Sequence, residues 1–145
     1  MPDVEQYVPI AEPITVRWND MDAFGHVNNV VYFVFFETAR IKYFEKLAMF
    51  DREGFDNRGP ALVSTTCNFR KQVHYPATLV CTARVVKLGN SSITSEHTIA
   101  DQANGAIVAD GSAVAAWTDY NQSRSAPLPD HLRDAIRRME RRDDL

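Results

Sequence analysis

Cysteine is scarce in this chain, and the two that occur stand apart. Cys67 and Cys81 fall in separate strand-like segments, without the short spacing of a metal site. Two cysteines so placed give little sign of a disulfide framework, and we expect two buried free thiols in a reducing compartment. The cytoplasm is the expected location.

Long apolar runs and an excess of positive charge are also missing. No segment approaches the roughly 20 apolar residues that a membrane-spanning helix needs. The first residues, 1–13, lack the basic start and apolar stretch of a signal peptide. The formal net charge is -3, whereas a general nucleic-acid binder concentrates basic charge on one face. We therefore expect neither a membrane nor a nucleic acid as a partner.

Repeats, low-complexity tracts and linkers are absent, so we predict a single domain over residues 1–145. The longest segment whose secondary structure is ambiguous in the sequence is 30–50. The first part is β-branched or aromatic and would suit a buried strand equally well. The later apolar positions favour a helix because they keep helical spacing: Phe36, Ala39, Tyr43 and Leu47. Asn28 or Asn29 would serve as its N-cap. A helix apolar on nearly all sides at its start must be enclosed by other structure.

Strand patterns surround this helix. A first strand is predicted over 8–18, broken near Pro13, and four more follow the helix, over 61–73, 79–88, 92–100 and 106–119. Gly-Asn and Asn-Gly pairs mark reversals between the later strands. A short amphipathic helix follows at about 129–142. This order predicts an α+β fold in which a curved antiparallel β-sheet wraps around one long central α-helix. Such a sheet leaves an open edge, so we expect a homo-oligomer.

Asp20 and Asp22, between the first strand and the helix, are the residues most suggestive of chemistry, and three interpretations compete. They could merely cap and close a turn. They could belong to a magnesium-dependent phosphoryl-transfer site, although no later strand end supplies the further carboxylates that the metal needs. In the third interpretation, one carboxylate lies beside the N-terminus of the buried helix. The unpaired N–H groups there can stabilise an oxyanion.

The third interpretation suits hydrolysis of a thioester. A leaving thiol with a pKa near ~8.5 departs as thiolate without a strong acid beside it. Asp22 could attack the carbonyl or activate a water molecule from the opposite side. A site with one carboxylate could therefore cleave a thioester far more readily than a peptide.

The segment around the two aspartates resembles the signature of the hotdog-fold acyl-CoA thioesterases. It reads Arg-Trp-Asn-Asp-Met-Asp-Ala-Phe-Gly-His-Val-Asn-Asn over residues 17–29, followed by Tyr32 and by Glu-Thr-Ala-Arg over 37–40. The nearest branch is that of the 4-hydroxybenzoyl-CoA thioesterase-like and long-chain acyl-CoA thioesterase enzymes. The element order extends the likeness over most of residues 10–120. The resemblance implies the hotdog fold, a homodimer or homotetramer with active sites between subunits, and hydrolysis of an acyl-CoA to free acid and CoA. It implies no metal and no cofactor, because the CoA thioester is the substrate.

By position, the resemblance makes Asp22 the catalytic nucleophile or general base and leaves Asp20 structural. The family polarises the thioester carbonyl with a backbone N–H at the start of the central helix, which falls near Asn29 here, with Gly25 to Asn28 forming the approach. His26 is expected to orient this loop rather than to act as the main catalytic group.

Other residues are candidates for substrate binding. Tyr32 and Glu37 could face the acyl channel or a partner subunit, although such residues more often pack or lie on a helix surface. The family binds the coenzyme phosphates partly with a basic, serine-containing turn between the two middle strands. That turn holds Lys87, Asn90, Ser91 and Ser92; without the resemblance it is a solvated hairpin. Arg70 and Lys71 form a second candidate patch for the phosphates.

Two further functions remain open. A module that binds or senses acyl-CoA without catalysis would use the same fold but would not need the Asp22 carboxylate. Hydration of an enoyl-CoA usually uses an Asp/His pair in a different sequence setting. The chain also departs from many relatives over 75–77, where Tyr-Pro-Ala replaces a Gly-Asp turn. Nothing in the strands identifies the acyl group.

Overall fold

An antiparallel sheet and two α-helices make up the computed structural model, which describes residues 7–145. The strands are β1 Ile10–Thr15, β2 Arg58–Phe69, β3 Thr78–Leu88, β4 Ser92–Asp101, β5 Ile107–Asp119 and β6 Arg124–Ser125; the helices are α1 Asn29–Lys46 and α2 Asp130–Glu140. A short 3-10 turn, Trp18–Asp20, follows β1. Residues 1–6, on which part of the signal-peptide expectation rests, lie outside the described residues.

The strands form one sheet in the order β1-β3-β4-β5-β2, with β6 added beside β5, and every pairing is antiparallel. The α+β class and the antiparallel sheet are thus confirmed. The predicted break near Pro13 is wrong: Pro13 pairs in register with Val80. A proline is tolerated there because β1 is an edge strand and needs no N–H donor on its free side.

The second strand ends earlier than predicted. The pattern over 61–73 suggested a strand to Val73, but β2 ends at Phe69. The amides of Arg70 and Lys71 both donate to the carbonyl of Val108, at 2.8 Å and 3.1 Å, so the regular ladder with β5 stops there. The short strand β6 was not predicted. The freed segment, residues 70–77, becomes a connection between β2 and β3.

Helix α1 begins where the sequence indicates. Asn28 is its N-cap, and the Asn28 side chain accepts a hydrogen bond from the Val30 amide at 3.2 Å. The helix contacts β1, β2, β3 and β4. Its buried residues are Tyr32, Phe35, Phe36, Ala39, Arg40, Tyr43 and Phe44. The expected enclosure of the helix start is incomplete, however, since Val30 is 62% exposed and Val34 is 52% exposed.

Close approach between the helix and the sheet depends on small residues along β5. A Cβ atom built on Gly111 would lie 2.7 Å from the Phe36 ring. Beside Gly111, the alternation of β4 points Ile93, Ser95, His97 and Ile99 into the core. The ring of His97 stacks on Phe36, with the centroids 5.1 Å apart. The sheet interior is therefore filled by side chains from both layers.

Helix α2 covers the end of the sheet near β3. Its apolar residues Leu132 and Ile136 are buried. The carboxylate of Glu140 accepts hydrogen bonds from the Tyr43 hydroxyl at 2.6 Å and from the Val85 amide at 2.9 Å. These bonds tie the second helix to α1 and to β3.

Both cysteines carry free thiols: Cys81 is buried and Cys67 is half-buried. Burial raises the pKa of both thiols, to about 12 and about 11 respectively. Over residues 7–145, no helix has the length and apolar character to cross a membrane.

Candidate active site

Asp20 joins the end of the first strand to the start of the central helix. Its buried carboxylate accepts hydrogen bonds from the Arg17 amide at 2.7 Å and from the Arg17 guanidinium at 2.9 Å. Its backbone carbonyl accepts the Asn28 amide at 2.9 Å. All of these contacts are local, so the side chain is occupied in holding the loop that follows.

That loop, residues 21–27, folds back on itself and presents Asp22. The Asp22 amide donates to the His26 carbonyl at 2.9 Å, and the Gly25 amide donates to the Asp22 carbonyl at 3.1 Å. Gly25 has a φ of +84°, in the left-handed region that glycine adopts without a steric penalty. The Oδ1 atom of Asp22 accepts the Phe24 amide at 2.9 Å. The Oδ2 atom has no hydrogen-bond partner within residues 7–145 and is free to act on a ligand.

The first turn of α1 supplies an amide donor. The Asn28 side chain takes the Val30 amide, and the Asn28 carbonyl takes the Val31 amide at 2.9 Å. The Asn29 amide is left without a hydrogen-bond partner in the described part of the chain. The positive end of the helix dipole adds to its ability to bind an oxyanion.

A crevice of about 370 Å³ brings these groups together. Its lining residues are Asp22, His26, Val27, Asn29, Tyr32, Phe69, Arg70, Lys71 and Gln72. Its apolar wall includes Tyr32 and Phe69, whose rings meet edge-to-face with centroids 5.1 Å apart. Burial, together with the nearby Cys67, raises the pKa of the Tyr32 phenol, so that side chain remains neutral. The crevice therefore combines a carboxylate, an unpaired amide and an apolar wall.

The two basic residues at the rim of the crevice, Arg70 and Lys71, differ in whether they already form an ion pair. Arg70 is paired with Asp110, with Nε and Oδ2 3.0 Å apart. Lys71 makes no ion pair with any residue that the structure describes. Lys71 is thus the rim cation that can turn toward an anionic ligand.

Several predicted substrate-binding residues lie elsewhere in the single chain. Glu37 is exposed on α1 and does not line the crevice. The hairpin residues Lys87, Asn90, Ser91 and Ser92 do not line it either. The backbone of this hairpin instead braces other parts of the fold. The Asn90 carbonyl accepts the Leu128 amide at 2.9 Å, and the Ser91 carbonyl accepts the Trp117 amide at 2.6 Å.

Sequence reasoning missed three residues of this region. Phe69 and Gln72 line the crevice, and His74 contacts the Asp22 loop through Gly25. The strand predicted over 61–73 hides the connection that carries Gln72, and nothing local to Phe69 or His74 indicates that either lies near Asp22. The signal that could have found the connection is Pro76, since a polar stretch before a proline favours a connection.

The described residues include no group of three or more His, Cys, Asp or Glu side chains arranged to hold a metal ion.

Known proteins resemble this chain over nearly its whole length. The sequence model of the thioesterase-like superfamily matches residues 16–136. Long-chain acyl-CoA thioesterase FadM of Escherichia coli (strain K12) is 26% identical over 126 residues, covering 87% of this chain and 96% of that protein. A thioesterase of Thermus thermophilus solved with coenzyme A and Zn is 32% identical with a TM-score of 0.82, covering 96% of this chain and 99% of that one. The PA5185 protein of Pseudomonas aeruginosa strain PAO1 is 34% identical with a TM-score of 0.81, covering 93% of each chain.

Proposed function

Because the chain belongs to the thioesterase-like superfamily and is a thioester hydrolase, we propose that it cleaves acyl-CoA with Asp22 as the catalytic carboxylate. The coenzyme A bound to the Thermus thermophilus relative supports CoA as the thiol part of the substrate. The name of the FadM relative supports an acyl-CoA as the whole substrate.

One observation carries the proposal: the same crevice is lined by Asp22 and by Asn29, the residue at the helix start whose amide has no hydrogen-bond partner among the described residues. A thioester carbonyl held there would direct its oxygen to the Asn29 amide. Negative charge on that oxygen rises in the transition state, where a fixed donor stabilises it more than in the ground state.

The chemistry then needs one further group on the opposite face of the carbonyl. As a general base, Asp22 takes a proton from water while the water oxygen bonds to the acyl carbon. The C–S bond breaks, and the proton passes to the leaving thiolate. As a nucleophile, an Asp22 carboxylate oxygen bonds to the acyl carbon, the C–S bond breaks, and CoA leaves as thiolate from the resulting mixed anhydride; water then hydrolyses the anhydride to the free acid, restores the Asp22 carboxylate and supplies the proton that the thiolate takes up. Both routes give a free acid and CoA and use only groups of this chain and water.

The test of this function is thiol release from a panel of acyl-CoA substrates with short, long and aromatic acyl groups. We expect hydrolysis of at least one member at a kcat/KM of about 10⁴ M⁻¹s⁻¹ or more. EDTA-treated protein serves as a control, and it should release thiol at an unchanged rate. CoA binding without thiol release from any member would contradict hydrolysis and favour a binding module. Water addition to crotonyl-CoA without thiol release would favour hydration.

We also propose a homodimer or homotetramer, in which the sheet curves around α1 and a second copy closes the crevice. Large apolar side chains are exposed along the free strand β2 and the neighbouring start of α1. They are Val30, Val34, Leu62, Val63 and Phe69. Strand β2 is an edge with unpaired backbone groups, which a second copy could pair. The hairpin that holds Lys87 and Ser91 could then reach the crevice of another subunit.

A charge on this surface is expected to disrupt the assembly. Val63 is 66% exposed, so Val63→Glu should leave the fold of each chain intact while placing a carboxylate where the second copy would pack. Sedimentation velocity should show an oligomer for the unmodified chain and a larger monomer fraction for the variant. A monomeric unmodified chain at micromolar concentration would contradict the proposed assembly.

A further inference from the structure

The connection between β2 and β3 holds the Asp22 loop at three points. The Val73 carbonyl accepts the Val27 amide at 2.8 Å. The Nδ1 atom of His74 lies 2.8 Å from the Gly25 carbonyl oxygen. The Tyr75 amide donates to the sulfur of Met21 at 3.4 Å. The middle contact is the only one of the three made by a side chain of the connection.

The direction of the hydrogen bond between His74 and Gly25 follows from the acceptor atom. A carbonyl oxygen can only accept, so the His74 Nδ1 atom must carry the proton. The Nε2 atom is then unprotonated in the neutral ring.

This contact acts on the peptide next to the one whose carbonyl accepts the Asp22 amide. The Gly25 carbonyl belongs to the peptide that joins Gly25 to His26, and the His26 carbonyl in turn accepts the Asp22 amide at 2.9 Å. Gly25 has a positive φ, which glycine adopts without steric penalty, and a Cβ atom built on it would meet no other atom within 4 Å. A hydrogen bond to the Gly25 carbonyl restricts rotation of the peptide that carries this oxygen.

We propose that His74 is a positioning residue that holds the Asp22 loop in its reactive geometry through the Gly25 carbonyl. The proposal rests on the proposed role of Asp22. His74 does not line the crevice, and its ring meets the ring of His26 edge-on, with centroids 5.4 Å apart. It therefore supports the loop from behind and takes no part in proton transfer to the substrate.

Two substitutions separate the hydrogen bond from the ring contact. His74→Phe keeps an aromatic ring beside His26 but removes the donor, whereas His74→Asn offers an amide donor and removes the ring. Because His74 is exposed, both variants should fold, and melting curves check this.

We expect His74→Phe to lower kcat by about 10-fold to 100-fold, since a small misplacement of a reacting group has a large effect on rate. KM should change less than about 3-fold. His74→Asn should retain kcat within about 3-fold and keep the pH–rate profile of the unmodified enzyme.

Three results would contradict a positioning role for His74. Unchanged kcat in His74→Phe would overturn it. Loss of one limb of the pH–rate profile in His74→Asn would also overturn it, because that result assigns proton transfer to the ring. Nitrogen NMR of the intact protein gives a readout independent of catalysis: the neutral His74 ring should carry its proton on Nδ1, and the Nε2–H form would overturn the proposal. If the unmodified chain released no thiol, the proposed function would fail while this NMR result still tested the contact.

Discussion

Replacing Asp22 with asparagine is expected to lower kcat/KM for acyl-CoA hydrolysis by about 10³-fold, because an amide neither attacks a thioester nor removes a proton from water. The loop should keep its shape. Asparagine offers the same Oδ1 acceptor to the Phe24 amide, which Asp22 accepts at 2.9 Å. Steady-state kinetics together with a melting curve therefore separate the loss of the charge from a loss of fold.

Asp101 offers a matched control for this substitution. Its Oδ1 atom accepts the amide two residues later, that of Ala103, also at 2.9 Å, but the side chain does not line the crevice. Asp101→Asn should leave kcat/KM unchanged. A kcat/KM for Asp22→Asn within a few-fold of the unmodified enzyme would remove Asp22 from the reaction.

The buried imidazole of His97 is expected to make the protein less stable in acid by about 2–3 kcal/mol between pH 7 and pH 4.5. Burial, together with the nearby Arg40 cation, lowers the pKa of His97 to about 4 from an ordinary value of 6.5. The neutral ring satisfies both nitrogens, with Nδ1 3.2 Å from the Thr82 carbonyl and Nε2 3.2 Å from the Ser95 hydroxyl. A second proton would remove the acceptor at Nε2.

The sign follows from linkage between protonation and folding. Below pH 6.5 the unfolded chain binds a proton at residue 97, and the folded chain does not do so until the pH nears 4. The free energy of unfolding therefore falls as the pH drops from about 6.5 toward about 4, and it keeps its full value at pH values above this range. Urea unfolding at several pH values measures the slope. His97→Asn should be less stable at pH 7 but should lose about 2 kcal/mol less than the unmodified chain on acidification. Parallel curves for the two proteins would contradict the buried neutral ring.

The fold was predictable where local patterns and packing agree. Phe36, Ala39 and Tyr43, which keep helical spacing in the sequence, are buried on α1, and Asn28, one of the two N-cap candidates, is the residue that caps the start of the helix. The end of β2 was not predictable, because Arg70 to Val73 continue a plausible strand pattern. The strand stops at Phe69, opposite Ala109, because the next two amides, those of Arg70 and Lys71, both donate to the Val108 carbonyl instead of continuing the ladder. That limit comes from pairing between segments distant in sequence.

The candidate site, like the fold, could be predicted from the sequence only in part. Asp22, Gly25, His26 and Asn29 are neighbours in the chain, so one motif contained them all. Phe69, at the end of β2, and His74, in the connection that follows it, reach the same region from some 45 residues later in the chain. Their arrival depends on the sheet order, which places β2 and β3 on either side of β4 and β5. No local pattern carries that information.

The most direct test of the account is a structure of the Asp22→Asn variant bound to an acyl-CoA analogue whose thioester sulfur is replaced by carbon. We expect the analogue's carbonyl oxygen to lie about 2.7–3.1 Å from the Asn29 amide nitrogen. The side chain at position 22 should lie on the opposite face, within about 3.5 Å of the carbonyl carbon or of a water molecule beside it. An analogue bound with its carbonyl far from Asn29, while residue 22 faces solvent, would contradict the account.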